Sequence, residues 1–204
     1  MLFSNSSFGY NILNYNKRAL RDIMNKNSFR TSCLKRLEKA SKNGVFKKDK
    51  IVLDSLYRLV NQYKSKKIML YIPLGTEVNI NPFINRLRRE KKELYVPFME
   101  GKSFRLVKYR LPLEKKQFGI KEPKDSKYYK KEQIDLAIVP VIGFDSTLRR
   151  IGFGKGMYDR FYEKEHKRIK KTVFVARYWC YSKKEITDDY DIKADRIITP
   201  QYIV

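Results

Sequence analysis

Histidine and cysteine are nearly missing. The 204-residue chain has one histidine, His166, and two cysteines, Cys33 and Cys180. A structural zinc centre takes about four such ligands at short spacing, so a zinc site is not expected. The two cysteines lie far apart and have no metal-type spacing. They read as packing residues of a reduced, cytoplasmic protein. Long hydrophobic runs are missing too, and no stretch approaches the length of a membrane-spanning helix. The opening "MLFSNSSFGYNILNYNKRALR" has neither a basic start nor a continuous apolar run, so no targeting segment is expected. Internal repeats and low-complexity linkers are likewise missing.

Negative charge is scarce. Lys and Arg number 46 against 22 Asp and Glu, for a formal net charge of +24. Such a field attracts polyanions. The lysines are spread over the chain, however, in "FKKDK", "KRIKK" and "KDSKYYKK", and form no basic tail. An anionic small molecule is therefore the expected partner, with nucleic-acid binding at most weak and non-specific. The alternative is a non-catalytic, basic nucleic-acid-binding protein on the same fold.

What is present suits a folded core. Hydrophobic residues make up 42% of the chain, and 15 Tyr and 12 Phe supply bulk. The length fits one domain over residues 1–204. Residues from about 15 to 64 read as helical. Leu20, Ile23 and Met24 share one side of "NKRALRDIM", and Lys17 and Arg21 stand one turn apart on another. That pair is either an anion clamp or a solvated face. Ser28 is the expected cap of the next helix and Gly44 its stop; Asp49 then opens a helix that carries Leu53, Leu56, Val60 and Tyr63 on one face.

From Lys67 the pattern changes to short apolar runs: "KIMLYIPL", "KELYVPF", "FRLVKY", "IDLAIVPVIGF", "KTVFVA" and "RIITP". Several are apolar throughout, as in strands covered on both faces. Helical stretches alternate with them. "NPFINRLRREKK" has Pro82 at its start and Phe83, Ile84 and Leu87 inward. The expected fold is α/β, with one doubly wound, mostly parallel sheet flanked by helices.

The chemistry concentrates in "RRIGFGKGMYDRFY", Arg149 to Tyr162. Gly152, Gly154 and Gly156 allow close approach of backbone to a ligand. Their amides, and the first turn of a helix from about Met157, can donate to phosphate oxygens. Arg150 and Lys155 add positive charge. Asp159 either complements the helix dipole or holds Mg²⁺. By spacing, G-x-G-x-G fits neither the dinucleotide fingerprint nor the phosphate loop that ends in G-K-[ST].

This segment resembles the signature of the 5-formyltetrahydrofolate cyclo-ligases (methenyltetrahydrofolate synthetases), R-[LI]-G-x-G-x-G-[YF]-Y-D-R. "DLAIVPVIGFD" resembles the strand that feeds that signature, and the Lys17–Arg21 pair resembles the family's N-terminal basic pair. "YIPLGTEVNINPFI", "FGIKEP" and "DIKADRIITP" resemble further family segments in the same order, so the likeness runs from about Lys17 to Pro200. It implies an ATP- and Mg²⁺-dependent ligase. In such a ligase the formyl oxygen of 5-formyltetrahydrofolate, possibly polyglutamylated, attacks the γ-phosphate. N10 then closes the ring to 5,10-methenyltetrahydrofolate.

Carried onto this chain, the resemblance gives catalytic roles to Arg150, Lys155 and Asp159, with Asp159 the metal ligand. ATP would be held by Lys17, Arg21, Arg150, Gly152, Gly154, Lys155, Gly156, Tyr158 and Asp159, and the folate by Glu77 and Tyr158. From the residues alone, Glu77 also reads as a solvent-facing loop residue and Tyr158 as packing. Three departures touch the folate side. Met157 replaces an aromatic, Tyr190-Asp191 replaces His-Asp, and "ARYWCYSKKEI" lacks a glutamine. Trp179 is expected to pack in the interior and His166 to be exposed.

Overall fold

Asn25 opens the first helix by accepting hydrogen bonds from the amides of Asn27 and Ser28, at 3.0 and 2.9 Å. These donors have no partner within the helix, so a side-chain acceptor starts it. The protein, as a computed structural model, is described over residues 25–116, 121–123 and 133–204. Lys17 and Arg21 lie outside the described residues, as does the first half of "FGIKEP", before Lys121. The helix is α1 (Lys26–Ala40), followed by α2 (Val45–Gln62). Ser28 therefore sits inside the first turn and is not the cap. Gly44 does not stop α1, which ends four residues earlier. At φ +62° it begins α2 instead, in a conformation that costs glycine little. Asp49 lies a turn inside α2 and is buried.

Val52, Leu56 and Val60 form the fully buried stripe of α2, with Leu53 and Tyr63 packed partly against the same cluster. The rest of the chain runs β1 (Lys67–Met69), α3 (Asn81–Arg89), β2 (Glu93–Glu100), β3 (Ser103–Lys108), β4 (Leu113–Lys115), β5 (Lys121–Pro123), β6 (Leu136–Pro140) and β7 (Gly143–Asp145). Then come β8 (Arg150–Ile151), α4 (Met157–Glu165), β9 (Thr172–Val175), β10 (Tyr181–Ser182) and β11 (Arg196–Ile198). Pro82 stands in the first turn of α3, where a missing N–H is harmless, and Phe83, Ile84 and Leu87 point inward.

The main sheet has the order β11-β9-β6-β1-β2-β3. Its pairs are parallel except β2–β3, a hairpin that makes an antiparallel edge. Pro97 is tolerated in β2 because β1 pairs only as far as Tyr95. Alternate residues feed opposite faces. Leu136 and Ile138 of β6 join the cluster under α2 and α3, whereas Ala137 and Val139 join the one that holds Phe161 and Tyr162 of α4. Both faces are covered, which is why the strand sequences are apolar throughout.

"IDLAIVPVIGF" is not one strand. Val141 still donates to Val175 on β9 at 3.1 Å, but Ile142 donates to Ile151 at 3.0 Å. The chain has changed sheets, entering a small one of order β10-β7-β8. Both environments are buried, so apolarity alone could not show the break.

The cysteines also depart from expectation. Phe29, Cys33 and Leu37 of α1 pack on Ile142, Ile151 and Cys180. Cys33 and Cys180, with Cα atoms 5.8 Å apart, form a disulfide, so they are not separate reduced packing residues. Sequence distance hid the pairing, because α1 folds back onto the small sheet. Trp179 packs edge-on to Phe144, ring centroids 4.7 Å apart, and also meets Tyr202. His166 is exposed at the end of α4.

Candidate active site

The sheet order places a crevice. From β1 the chain moves outward through β2 and β3, then crosses to β6 and moves outward the other way through β9 and β11. Loops leaving the carboxyl ends of β1 and β6 diverge there, at the switch point where open α/β sheets bind ligands. The loop after β1 carries Glu77. The segment after β6 carries the glycine loop.

Asp145 fixes the approach to that loop. Fully buried at the end of β7, it accepts from the Thr147 amide and hydroxyl at 3.0 and 2.6 Å. Its other oxygen accepts from the Ile186 amide and the Thr187 amide and hydroxyl, at 2.9, 2.9 and 2.6 Å. Burial alone would raise its pKa, but the hydroxyl and amide bonds hold it down to about 2.

Arg150 then enters from beneath. Its side chain is buried, with Nη1 3.6 Å from Asp159 Oδ2, Nε donating to the Pro140 carbonyl at 3.3 Å and Cζ 4.8 Å from the Tyr158 ring centre. A Cβ on Gly152 would fall inside that guanidinium, so glycine is required there by a close approach. Gly154 and Gly156 have φ of +84° and +62°, the left-handed region, and Gly156 leads directly into α4. Lys155 is exposed between them.

Asp159 lies in the first turn of α4. Its Oδ1 is buried and has no hydrogen-bond partner among the described residues. A buried carboxylate oxygen with nothing to accept from is costly unless a cation or donor meets it.

Across the crevice, Glu77 Oε2 accepts from the Leu74 amide at 2.8 Å. Burial pushes its pKa up to about 7, against the pull of that bond and of the charges on Arg150 and Arg177. Burial, and next the charge of Glu77, also push the Tyr158 hydroxyl well above its ordinary pKa. Glu77, Tyr158, Arg150 and Asp159 thus share one environment. Tyr158 also packs edge-on to Phe104, so packing and site-lining hold together. The exposed Tyr190 donates to Asp188 at 2.8 Å, while Asp191 is buried and paired with Lys26. Met157 packs against the hydrophobic cluster beside α4.

Sequence reasoning missed four residues. Arg30 of α1 donates through Nε to the Gly152 carbonyl at 2.7 Å and lies near Gly154. Arg160 donates through Nε to the Lys102 carbonyl at 2.8 Å and also reaches the Lys155 carbonyl, tying the glycine loop to the β2–β3 hairpin. Arg177 and Asp49 form a buried ion pair behind the Glu77 loop. Arginines are so common here that only the fold singles these out. Asp49 carried a signal in its place on an otherwise apolar face of α2.

A family model described as the 5-formyltetrahydrofolate cyclo-ligase family matches residues 22–200. A 5-formyltetrahydrofolate cyclo-ligase of Haemophilus influenzae is 31% identical over 109 residues, covering 50% of this chain and 58% of that protein. One from Mycoplasma genitalium is 28% identical over 182 residues, covering 86% of this chain and 98% of that protein. The NMR structure of a 5,10-methenyltetrahydrofolate synthetase from Aquifex aeolicus superposes with a TM-score of 0.70 at 31% identity, over 87% of this chain and 91% of that one.

Proposed function

The chain belongs to the 5-formyltetrahydrofolate cyclo-ligase family, and on that premise we propose that it converts 5-formyltetrahydrofolate and ATP to 5,10-methenyltetrahydrofolate, ADP and phosphate. One observation carries the reading: the unsatisfied, buried Oδ1 of Asp159, in the first turn of the helix that the three-glycine loop enters.

The reaction asks little of side chains as nucleophiles, because the folate supplies both attacking atoms. Its formyl oxygen attacks the γ-phosphorus and ADP leaves. N10 attacks the activated carbon, the formyl oxygen departs with phosphate, and N10 gives up its proton. The protein must align two ligands and counter the charge on the transferring group. Arg150, Lys155 and the loop amides suit the phosphates, and Lys17 and Arg21 complete the ATP side. Glu77 and Tyr158 take the folate side.

The donor set fits Mg²⁺, which binds through one or two carboxylates and fills its shell with phosphate and water. Asp159 would hold it, and the bound ion would neutralise charge on the phosphoryl oxygens. Arg150 steadies the other oxygen of Asp159, and Oδ1, with no hydrogen-bond partner among the described residues, would be the atom available to the ion.

The net charge of +24 suits anionic substrates, including folates with added glutamates. We take residues 1–204 as one catalytic domain; the Cys33–Cys180 disulfide removes the reduced-cysteine argument for a cytoplasmic location. No helix among the described residues is long and apolar enough to cross a membrane. The test is direct: purified protein with 5-formyltetrahydrofolate and MgATP should generate the methenyl chromophore, and omission of either substrate should abolish it.

A further inference from the structure

Residues 73–80, between β1 and α3, carry Glu77 and contain neither helix nor strand. Such a segment has no ladder to satisfy its backbone donors and acceptors; its own bonds close one turn, with the Glu77 amide donating to the Leu74 carbonyl at 3.0 Å and the Leu74 amide to Glu77 Oε2, and the rest of its shape is imposed from outside. The imposing group is Arg177, just past the carboxyl end of β9 and only 2% exposed. Its Nε and Nη2 grip Asp49 Oδ1 and Oδ2 at 2.8 and 2.9 Å. Nη1 donates to Ser41 Oγ at 2.7 Å and to the Gly75 carbonyl at 3.3 Å, and Nη2 also donates to the Glu77 carbonyl. All five guanidinium N–H groups are thereby used. Asp49 Oδ2 additionally accepts from the Asn79 amide at 3.0 Å, and Ser41 Oγ reaches the Thr76 carbonyl at 3.4 Å. Backbone groups of residues 75, 76, 77 and 79 therefore converge on one buried node.

We propose that the Arg177–Asp49 pair is a positioning device for the substrate loop: it sets the backbone of residues 75–79, and hence the aim of the Glu77 carboxylate, without itself touching substrate. A buried ion pair often adds little net stability compared with apolar residues of similar size. Here the forked geometry supplies four fixed points to an irregular loop, which an apolar pair could not. Among the described residues the node's hydrogen bonds reach the main chain of residues 75–79 and not the glycine loop, so its effect should fall chiefly on the Glu77 side. That assignment rests on the reading of Glu77 as the folate-side carboxylate.

The fork separates this role from a merely electrostatic one. Arg177→Lys keeps the charge near Glu77 but cannot bridge Asp49 and two carbonyls in one plane. Michaelis constants and hydrogen exchange would be measured for Arg177→Lys, Arg177→Met and the milder Asp49→Asn. Misplacement of a substrate-holding group by about an ångström can cost up to roughly 100-fold. The expected result is a folate KM raised about 10- to 100-fold in both Arg177 variants, less in Asp49→Asn, with ATP KM within about threefold of wild type. Amides of residues 75–79 should exchange faster while those of β6 and β9 do not. Should the wild type fail to cyclise folate, the functional reading falls, and the exchange experiment still decides the positioning claim. Equal rises in both Michaelis constants, a wild-type folate KM in Arg177→Lys, or unchanged exchange over residues 75–79 overturns it.

Discussion

Replacing Glu77 by Gln isolates the consequence of burying a carboxylate in the crevice. Burial raises Glu77 from an ordinary 4.5 to about 7. The sign of the effect on stability follows from proton counting. Below pH 4.5 the group is protonated both folded and unfolded and contributes nothing. Between 4.5 and 7 the folded protein keeps a proton that the unfolded chain has lost. Stability therefore falls by about 1.4 kcal/mol per pH unit and levels off above 7. Between pH 5 and 8 the accumulated loss is about 2.5 kcal/mol. Gln is neutral throughout and its carbonyl can still accept from Leu74. The variant should gain on the wild type by about that amount as pH rises from 5 to 8, whatever its offset at pH 5. Urea unfolding of both proteins across this range measures the difference, provided the two share a denaturant slope. A gap that stays constant to within about 0.5 kcal/mol would show that Glu77 titrates as an ordinary exposed carboxylate, and the account of a desolvated crevice would be wrong. With folate, the same variant should raise KM and leave ATP binding nearly unchanged.

Asp159→Asn should keep its circular dichroism and lose turnover about 100-fold or more, because a neutral amide is a poor ligand for Mg²⁺. A near-normal rate would reduce Asp159 to a helix-end charge. Lys155→Ala should remove a charged hydrogen bond to phosphate, about 1.5–3 kcal/mol, and so raise ATP KM roughly 10- to 100-fold without a matching change for folate. The Cys33–Cys180 bond spans 147 residues, for which loop entropy gives at most about 5 kcal/mol of stabilisation. Thiol titration in denaturant should find no free thiol before reduction, and Cys33→Ser should lower Tm. Two titratable thiols in the unreduced protein would contradict the bond.

The legible parts of the fold were those carried by a local signal. Pro82 with Phe83, Ile84 and Leu87 marks α3, and the apolar runs at β1, β2, β6, β9 and β11 mark a sheet covered on both faces. The glycine triplet with Asp159 marks the start of α4. What sequence did not carry was contact between distant segments. The disulfide joins α1 to the small sheet, and Asp49 meets Arg177 across 128 residues. Neither separation leaves a trace in a window of a dozen residues. Caps were misplaced for a related reason. Asn25, Ser28 and Gly44 are all good boundary residues, and local sequence does not choose among them. In the site, Arg150 was legible as a positive charge beside phosphate-binding backbone. Its burial under Gly152 was not, because that required knowing how β8 meets the loop.

The central claim is that ring closure is coupled to cleavage of ATP in this one crevice. It is tested most directly by quenching the reaction of wild-type protein with 5-formyltetrahydrofolate and MgATP at intervals and quantifying methenyl product and ADP in the same samples. Equal amounts at every time point, with neither formed when the other substrate is omitted, are the predicted result; ADP that accumulates without methenyl product, using active folate, would contradict it.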